Sequence, residues 1–229
     1  MAEFLLQIKA VKLSLSKPFT WVSGWRSPIY CDNRKTLSYP AVRTFIRQQF
    51  VHIVNSEFGR PDMIAGVATG GIAHGALVAH DMGLPFIYVR SGSKEHGLKN
   101  QVEGDITVGR NVVVVEDLVS TGSSSLNAVQ ALRDAGLEVK GMVSIFTYGF
   151  DEANKAFAAA KVKLHALTNY SVLIDQALRD EYITEKDLAP LNEWRKDPAN
   201  WGPHPPPLSG LTPALSKGEG EIGEGGRSR

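Results

Sequence analysis

The sequence predicts an α/β fold: a mainly parallel sheet flanked by helices, with a small irregular N-terminal subdomain. Three observations carry this. Short, continuously apolar runs alternate with helical periodicities between residues 64 and 167. Those runs lack the polar alternation of a half-exposed sheet, so their strands need cover on both faces, as parallel sheets have. The first 38 or so residues break the alternation and are rich in aromatics and turn dipeptides.

Taken in order, Ala2 to Ser14 reads as a helix. The stretch 18–32, PFTWVSGWRSPIYCD, reads as an irregular subdomain because of its SG and SP dipeptides. Tyr39 to Phe58 reads as a longer amphipathic helix. IAGVA (64–68) is a buried strand running into glycines, followed by a small-residue helix from Ile72 to Met82 that Gly83 stops. LPFIYVR (84–90) is the next strand. NVVVVED (111–117) is the strongest strand signal, since consecutive valines favour little else. Ser123 to Ala135 is an amphipathic helix with Leu126, Val129 and Leu132 on one face and Gly136 as its stop. EVKGMVSIFTYG (138–149) is a strand, and AFAAAKVKLHAL (156–167) holds a helix and then a strand. Thr184 and Asp187 have the spacing of a capping box.

The domain is expected to span 1–201. Residues 202–229 hold twelve Gly or Pro in 28 positions, with no aromatic residue and no Val. Such a segment buries too little apolar surface to offset its ordering entropy, so a disordered tail is expected. Gly218, Gly220 and Gly223 in it match a dinucleotide-binding spacing, but no strand precedes them and two glutamates interleave. The 229 residues carry 25 Lys and Arg against 24 Asp and Glu, a net charge of +1. That balance argues against a nucleic-acid binder. One cysteine, Cys31, excludes a disulfide framework and a Cys-based zinc site. A cytoplasmic protein is expected, with no signal peptide at Met1–Ala10 and no run of about 18 apolar residues to span a membrane.

Three segments carry chemistry. In VVVVEDLVSTGSSSLNAV (112–129), a buried strand delivers Glu116 and Asp117 to the carboxyl edge of the sheet, where open α/β folds bind ligands. Paired carboxylates there suit ribose hydroxyls or Mg²⁺. Ser120, Thr121, Gly122, Ser123 and Ser124 then turn into a helix whose free N–H groups favour a phosphate. No Walker A pattern is present, which counts against nucleoside triphosphate hydrolysis. GVATGGIAHG (66–75) repeats the strand–loop–helix arrangement and offers a second anion site; His74, on the helix just after the loop, reads as packing or capping. In YVRSGSKEHGLKNQVEGD (88–105), Arg90, Lys94 and His96 lie along a Gly-rich loop able to close over a polyphosphate. Cys31 reads as packing, His52, His80 and His165 as residues of apolar faces, and Trp194 and Trp201 as anchors of the C-terminal end.

The acidic strand with its Ser-Thr-Gly turn resembles the phosphoribosyl-pyrophosphate (PRPP) signature of type I phosphoribosyltransferases. Within that fold, R-S-G-S-K-x-H-G (90–97) looks like the catalytic loop of the orotate phosphoribosyltransferases. FTWVSGWRSPIYCDNR (19–34) resembles that family's hood over the pyrimidine. The resemblance covers about residues 2–200. It implies transfer of the 5-phosphoribosyl group from PRPP to orotate, giving orotidine 5′-phosphate and pyrophosphate in pyrimidine biosynthesis. Lys94 and Asp117 would be catalytic. Arg90, Lys94 and His96 would hold pyrophosphate. Glu116, Asp117, Leu118, Val119, Ser120, Thr121, Gly122, Ser123 and Ser124 would hold the ribose 5-phosphate, and Ser120 would lie against orotate. Mg²⁺ would ride on PRPP rather than on a protein metal site. The resemblance also implies a homodimer in which the loop 90–105 completes the partner's site, and a hood made of about residues 1–38 plus the C-terminal segment. The chain departs from family patterns at Ser91, where many members have a second lysine, at Thr69-Gly70-Gly71, where some have a lysine, and at Val22. Hood cations must then come from Arg26 or Arg34. The alternatives are a PRPP-binding regulator of the same fold, or a phosphoribosyltransferase for a purine base. The absence of a basic excess or added domain favours an enzyme over a regulator, and the hood and loop favour orotate over a purine.

Overall fold

The computed structural model describes residues 1–21, 23–90, 101–107 and 109–202. The predicted tail, apart from Gly202, lies outside them, as do Ser91, Lys94 and His96 of the cationic loop.

A six-stranded sheet organises the molecule. Its strands are β5 (Met63–Val67), β6 (Phe86–Val89), β7 (Val102–Glu103), β8 (Asn111–Val119), β9 (Glu138–Thr147) and β10 (Leu164–Asn169), in the order β10-β9-β8-β5-β6-β7. All neighbours are parallel except β7, which pairs antiparallel with β6. Residues 102–103 were expected to belong to a loop; with Val102 opposite Val89 they instead close the sheet edge. The crossovers are α3 (Gly70–Met82), α4 (Ser123–Asp134) and α5 (Asp151–Ala159).

The valine run of β8 shows why this strand is central. Val113 and Val115 join the core on one face, with Ile64, Val78 and Phe50. Val112 and Val114 join the core on the other, with Val129, Leu132 and Phe157. All four are fully buried. At about 1.5–3 kcal/mol per buried aliphatic side chain, they anchor both layers.

The strand order reverses between β5 and β8. From β5 the chain moves to β6; from β8 it moves the opposite way, to β9 and β10. Loops leaving β5 and β8 therefore diverge, and such a switch point opens a crevice at the carboxyl ends of the strands.

The N-terminal region departs from expectation. The first helix, α1, covers only Ala2–Gln7, and Val11–Leu13 form β1. Lys9, with φ 53, turns the chain, and β1 pairs antiparallel with β4 (Ile29–Cys31). A hairpin of β2 (Phe19–Thr20) and β3 (Arg26–Ser27) completes this hood. The predicted helix 39–58 is α2 (Pro40–Ile53) followed by one π turn, Val54–Phe58. Pro40 suits the first turn, where its missing N–H costs nothing.

The C-terminal helices are α6 (Tyr170–Arg179) and α7 (Glu185–Lys196), the latter opened by the Thr184–Asp187 capping box. Fully buried Trp194 on α7 lies edge-on to Trp21 and Tyr148, and its indole N–H donates to the Arg26 carbonyl at 3.2 Å. Trp201 packs half-buried against the same core. The end of the chain body thus clamps the hood onto the sheet. His52 and His80 are exposed rather than on apolar faces, because their helices turn those positions to solvent. His165 is half-buried, 3.4 Å from Glu57. No described helix is long and apolar enough to cross a membrane.

Candidate active site

Two adjoining cavities lie at the switch point. The first, about 370 Å³, is polar and lined by Asp32, Arg34, Thr69, Gly70, Glu116, Asp117 and Ser124 among others. The second, about 220 Å³, is lined by Thr20, Trp21, Tyr30, Cys31, Leu118, Ser120 and Tyr148. Cys31 and Leu118 line both, so the cavities share a wall. A larger groove of about 610 Å³, lined by Trp25, Asp151 and Arg195 among others, holds none of the predicted site residues.

The polar cleft follows from close backbone packing. A Cβ at Gly70 would land on the Asp117 carboxyl group, and one at Gly71 on the Val115 carbonyl. These two glycines let the 68–71 loop press against β8, so the start of α3 and the acid pair face one space. The Ala68–Thr69 peptide is cis. Gly122 has a different task. It takes φ 88 as the N-cap of α4, and a Cβ there would press on the Phe157 ring at 2.9 Å.

Glu116 and Asp117 are neighbours in unlike settings. Glu116 is buried; it accepts from the Asp117 amide at 2.9 Å and from the Ser125 hydroxyl at 3.1 Å. Burial, reinforced by the adjacent Asp117 charge, pushes its carboxyl well above the ordinary range. Burial also raises Asp117, while hydrogen bonding to Glu116 and the Arg34 charge pull it back. Arg34 in turn donates to Asp32 at 2.7 Å.

A carboxyl raised in the native state favours folding only while protonated, so Glu116 opposes stability as pH rises. Glu116→Gln is expected to leave the Tm of the ligand-free protein unchanged below the ordinary glutamate value of 4.5. Above it, the variant's Tm should exceed wild type by a margin that grows until pH passes the raised native value. Calorimetry across pH checks this, and equal melting at about pH 8 would mean Glu116 carries no such penalty.

The apolar cavity has aromatic walls. Trp21 and Tyr148 lie with ring centroids 5.1 Å apart, and the Trp21 indole donates to the Ile29 carbonyl at 3.1 Å. This slot suits a flat heterocycle, with the Ser120 hydroxyl as a polar contact. Cys31 donates to Asn33 Oδ1 at 3.1 Å, and burial raises its thiol, so it is a neutral wall residue.

Of the predicted residues, Glu116, Asp117, Leu118 and Ser124 line the polar cleft, and Leu118 and Ser120 the aromatic one. Thr121 and Ser123 lie at the entry to α4 with their hydroxyls 3.4 Å apart. The Val119 side chain is buried in the core, and its carbonyl accepts from the Tyr148 amide at 3.1 Å. Arg90 pairs with Glu103 at 3.0 Å at the base of the loop. His74 is buried with Nε2 3.0 Å from the Thr36 hydroxyl, and burial pulls its pKa down to about 4.

Sequence reasoning missed Tyr30 and Tyr148 as pocket walls, and Asn33. A usable signal existed for Tyr148: it follows β9 at the carboxyl edge of the sheet, where ligands bind.

Comparison with known proteins agrees with this geometry. The family model described as the phosphoribosyl transferase domain matches residues 37–168. The orotate phosphoribosyltransferase of Bacteroides fragilis is 60% identical over 200 residues, 87% of this chain and 94% of that protein. The crystal structure of orotate phosphoribosyltransferase from Aeropyrum pernix matches with a TM-score of 0.68 at 30% identity, covering 76% of this chain and 96% of that one. Leishmania donovani UMP synthase matches with a TM-score of 0.70 at 27% identity, over 84% of this chain and 42% of that one. A parallel sheet opened at its switch point, an acid pair beside a helix N-terminus, an aromatic slot and these relatives agree: the chain belongs to the orotate phosphoribosyltransferase family.

Proposed function

We propose that the protein transfers the 5-phosphoribosyl group of PRPP to orotate, forming orotidine 5′-phosphate and pyrophosphate in de novo pyrimidine biosynthesis. The observation that carries this reading is the shared wall. An aromatic slot for a flat base lies beside an acidic cleft at a helix N-terminus, with Cys31 and Leu118 lining both.

In this reading Ser120 to Ser124 cradle the 5-phosphate, because the free N–H groups of α4 and the hydroxyls converge there. Glu116 and Asp117 face the ribose hydroxyls. Orotate lies between Trp21, Tyr30 and Tyr148 against Ser120, as an anionic nucleophile needing little base catalysis. As pyrophosphate departs, positive charge grows on ribosyl C1, and the Asp117 carboxylate stabilises it. Arg90, Lys94 and His96 meet the growing negative charge on the leaving group. For Arg90 this requires exchange of its Glu103 partner for pyrophosphate. The hard carboxylate oxygens at the cleft, Asp117 and Asp32, fit a Mg²⁺ ion that arrives on PRPP. Such an ion would neutralise charge on the pyrophosphate. We assign residues 1–201 to one catalytic domain, with a homodimer in which the loop between Arg90 and β7 reaches the partner's site, working in the cytoplasm.

The decisive assay follows orotate by ultraviolet absorbance with PRPP and Mg²⁺. Orotate should disappear with one pyrophosphate released per turnover. Turnover of hypoxanthine or adenine without orotate would overturn the assignment. Tight PRPP binding without any turnover would instead mark a regulator.

A further inference from the structure

The backbone of Asp117 raises a question of hydrogen-bond supply. The pairing of β5 with β8 ends at Gly66 opposite Val115, where β5 turns away into the 68–71 loop. β8 continues to Val119. Past Val115 it therefore has no strand on that side, at the point where the acid pair sits. Buried backbone polar groups need partners, and here side chains supply them. The Asp117 N–H donates to Glu116. The Asp117 carbonyl accepts from the side-chain amide of Asn33 at 2.6 Å, across 84 residues of sequence.

Asn33 is fully buried, and its side-chain amide nitrogen, its Oδ1 and its backbone carbonyl each have a partner. Its Oδ1 accepts from Cys31, a wall of the aromatic slot. Its backbone carbonyl accepts from the Thr36 hydroxyl, which contacts His74 on α3, the helix that follows the 68–71 loop. Since the Thr36 proton goes to Asn33, His74 donates from Nε2. One buried chain of hydrogen bonds thus joins the hood, α3 and the end of β8.

We propose that Asn33 is a positioning residue for the reaction: its amide takes the place of the strand that β8 has lost and holds the Asp117 backbone under the hood. Asn33 lines neither cavity. It acts through Asp117, whose carboxylate must meet the ribose, while the bond from Cys31 orients the Asn33 amide. Asparagine is suited to this because one planar group offers a donor to Asp117 and an acceptor to Cys31 at once. The inference rests on the reading that Asp117 faces PRPP.

The test compares Asn33→Leu, near-isosteric and uncharged, with Thr36→Val, which breaks the neighbouring buried bond but leaves the Asn33 donor in place. Both should lower Tm. Only Asn33→Leu should lower kcat, by about tenfold or more, the scale of a misplaced reacting group. Its KM for orotate should stay within about threefold, since the aromatic walls remain. Wild-type kcat in folded Asn33→Leu would overturn the inference, as would an equal kcat loss in both variants. If Asn33→Leu does not fold, Asn33→Ala is measured in the same way and the same outcomes decide. Wild-type protein that fails to turn over orotate would instead reject the functional reading itself.

Discussion

Gly70→Ala is expected to reduce kcat/KM for PRPP by about a hundredfold while leaving Tm nearly unchanged. A Cβ at Gly70 falls on the Asp117 carboxyl carbon and both its oxygens. That carboxyl ends a side chain lining the cleft and is not backbone, so the fold yields by rotating it away. The fold loses little, but the site loses the carboxylate proposed to face the ribose. Gly71→Ala supplies the contrast. Its Cβ meets the Val115 carbonyl, a backbone atom locked in the β5–β8 ladder. Rigid neighbours make this an overpacking defect of about 1–3 kcal/mol or more. Steady-state kinetics and thermal melts of both variants separate the two mechanisms. Wild-type kcat/KM in Gly70→Ala would show that Asp117 need not occupy its observed place.

Lys94→Ala is expected to lower kcat by roughly a hundredfold or more, the scale of losing one preorganised charge contact at a developing anion. Lys94 lies outside the described residues, and its expected effect follows from its charge. The sheet edge at Val89 and Val102 brings the two ends of the 90–101 segment together, with Arg90 and Glu103 paired at its base. The departing pyrophosphate gains charge in the transition state, so a cation carried there assists the chemical step more than ground-state binding. KM for orotate should change little, because the slot proposed to take it is lined by the hood with Leu118, Ser120 and Tyr148, not by the 90–101 segment. Unchanged kcat would remove Lys94 from the catalytic residues.

The large features of the fold were legible because they depend on local pattern. Four valines in a row left no amphipathic alternative, and each strand–loop–helix unit carried its own stop signals, such as Gly83 after α3, with φ 61. The acid pair and the Ser-Thr-Gly turn were legible for the same reason: strand, acids and helix start are contiguous in the chain. The hood was less so. Val11–Leu13 looks like the end of a helix until Ile29–Cys31 is placed beside it. Two-residue strands such as β2 and β3 carry too little periodicity to read.

What the sequence determined by itself is therefore the class of fold, the loops proposed to handle phosphate and the family resemblance, all properties of contiguous segments whose backbone geometry follows from their own residues. Tertiary structure alone decided the rest. It set Trp21, Tyr30 and Tyr148 around one slot. It pressed Gly70 against Asp117, and it supplied the Asp117 carbonyl with a donor from Asn33, 84 residues away in the chain. The physical reason is that a hydrogen bond or a ring contact is satisfied by whichever group packing brings within reach, and that group is named only once the two layers close on the sheet.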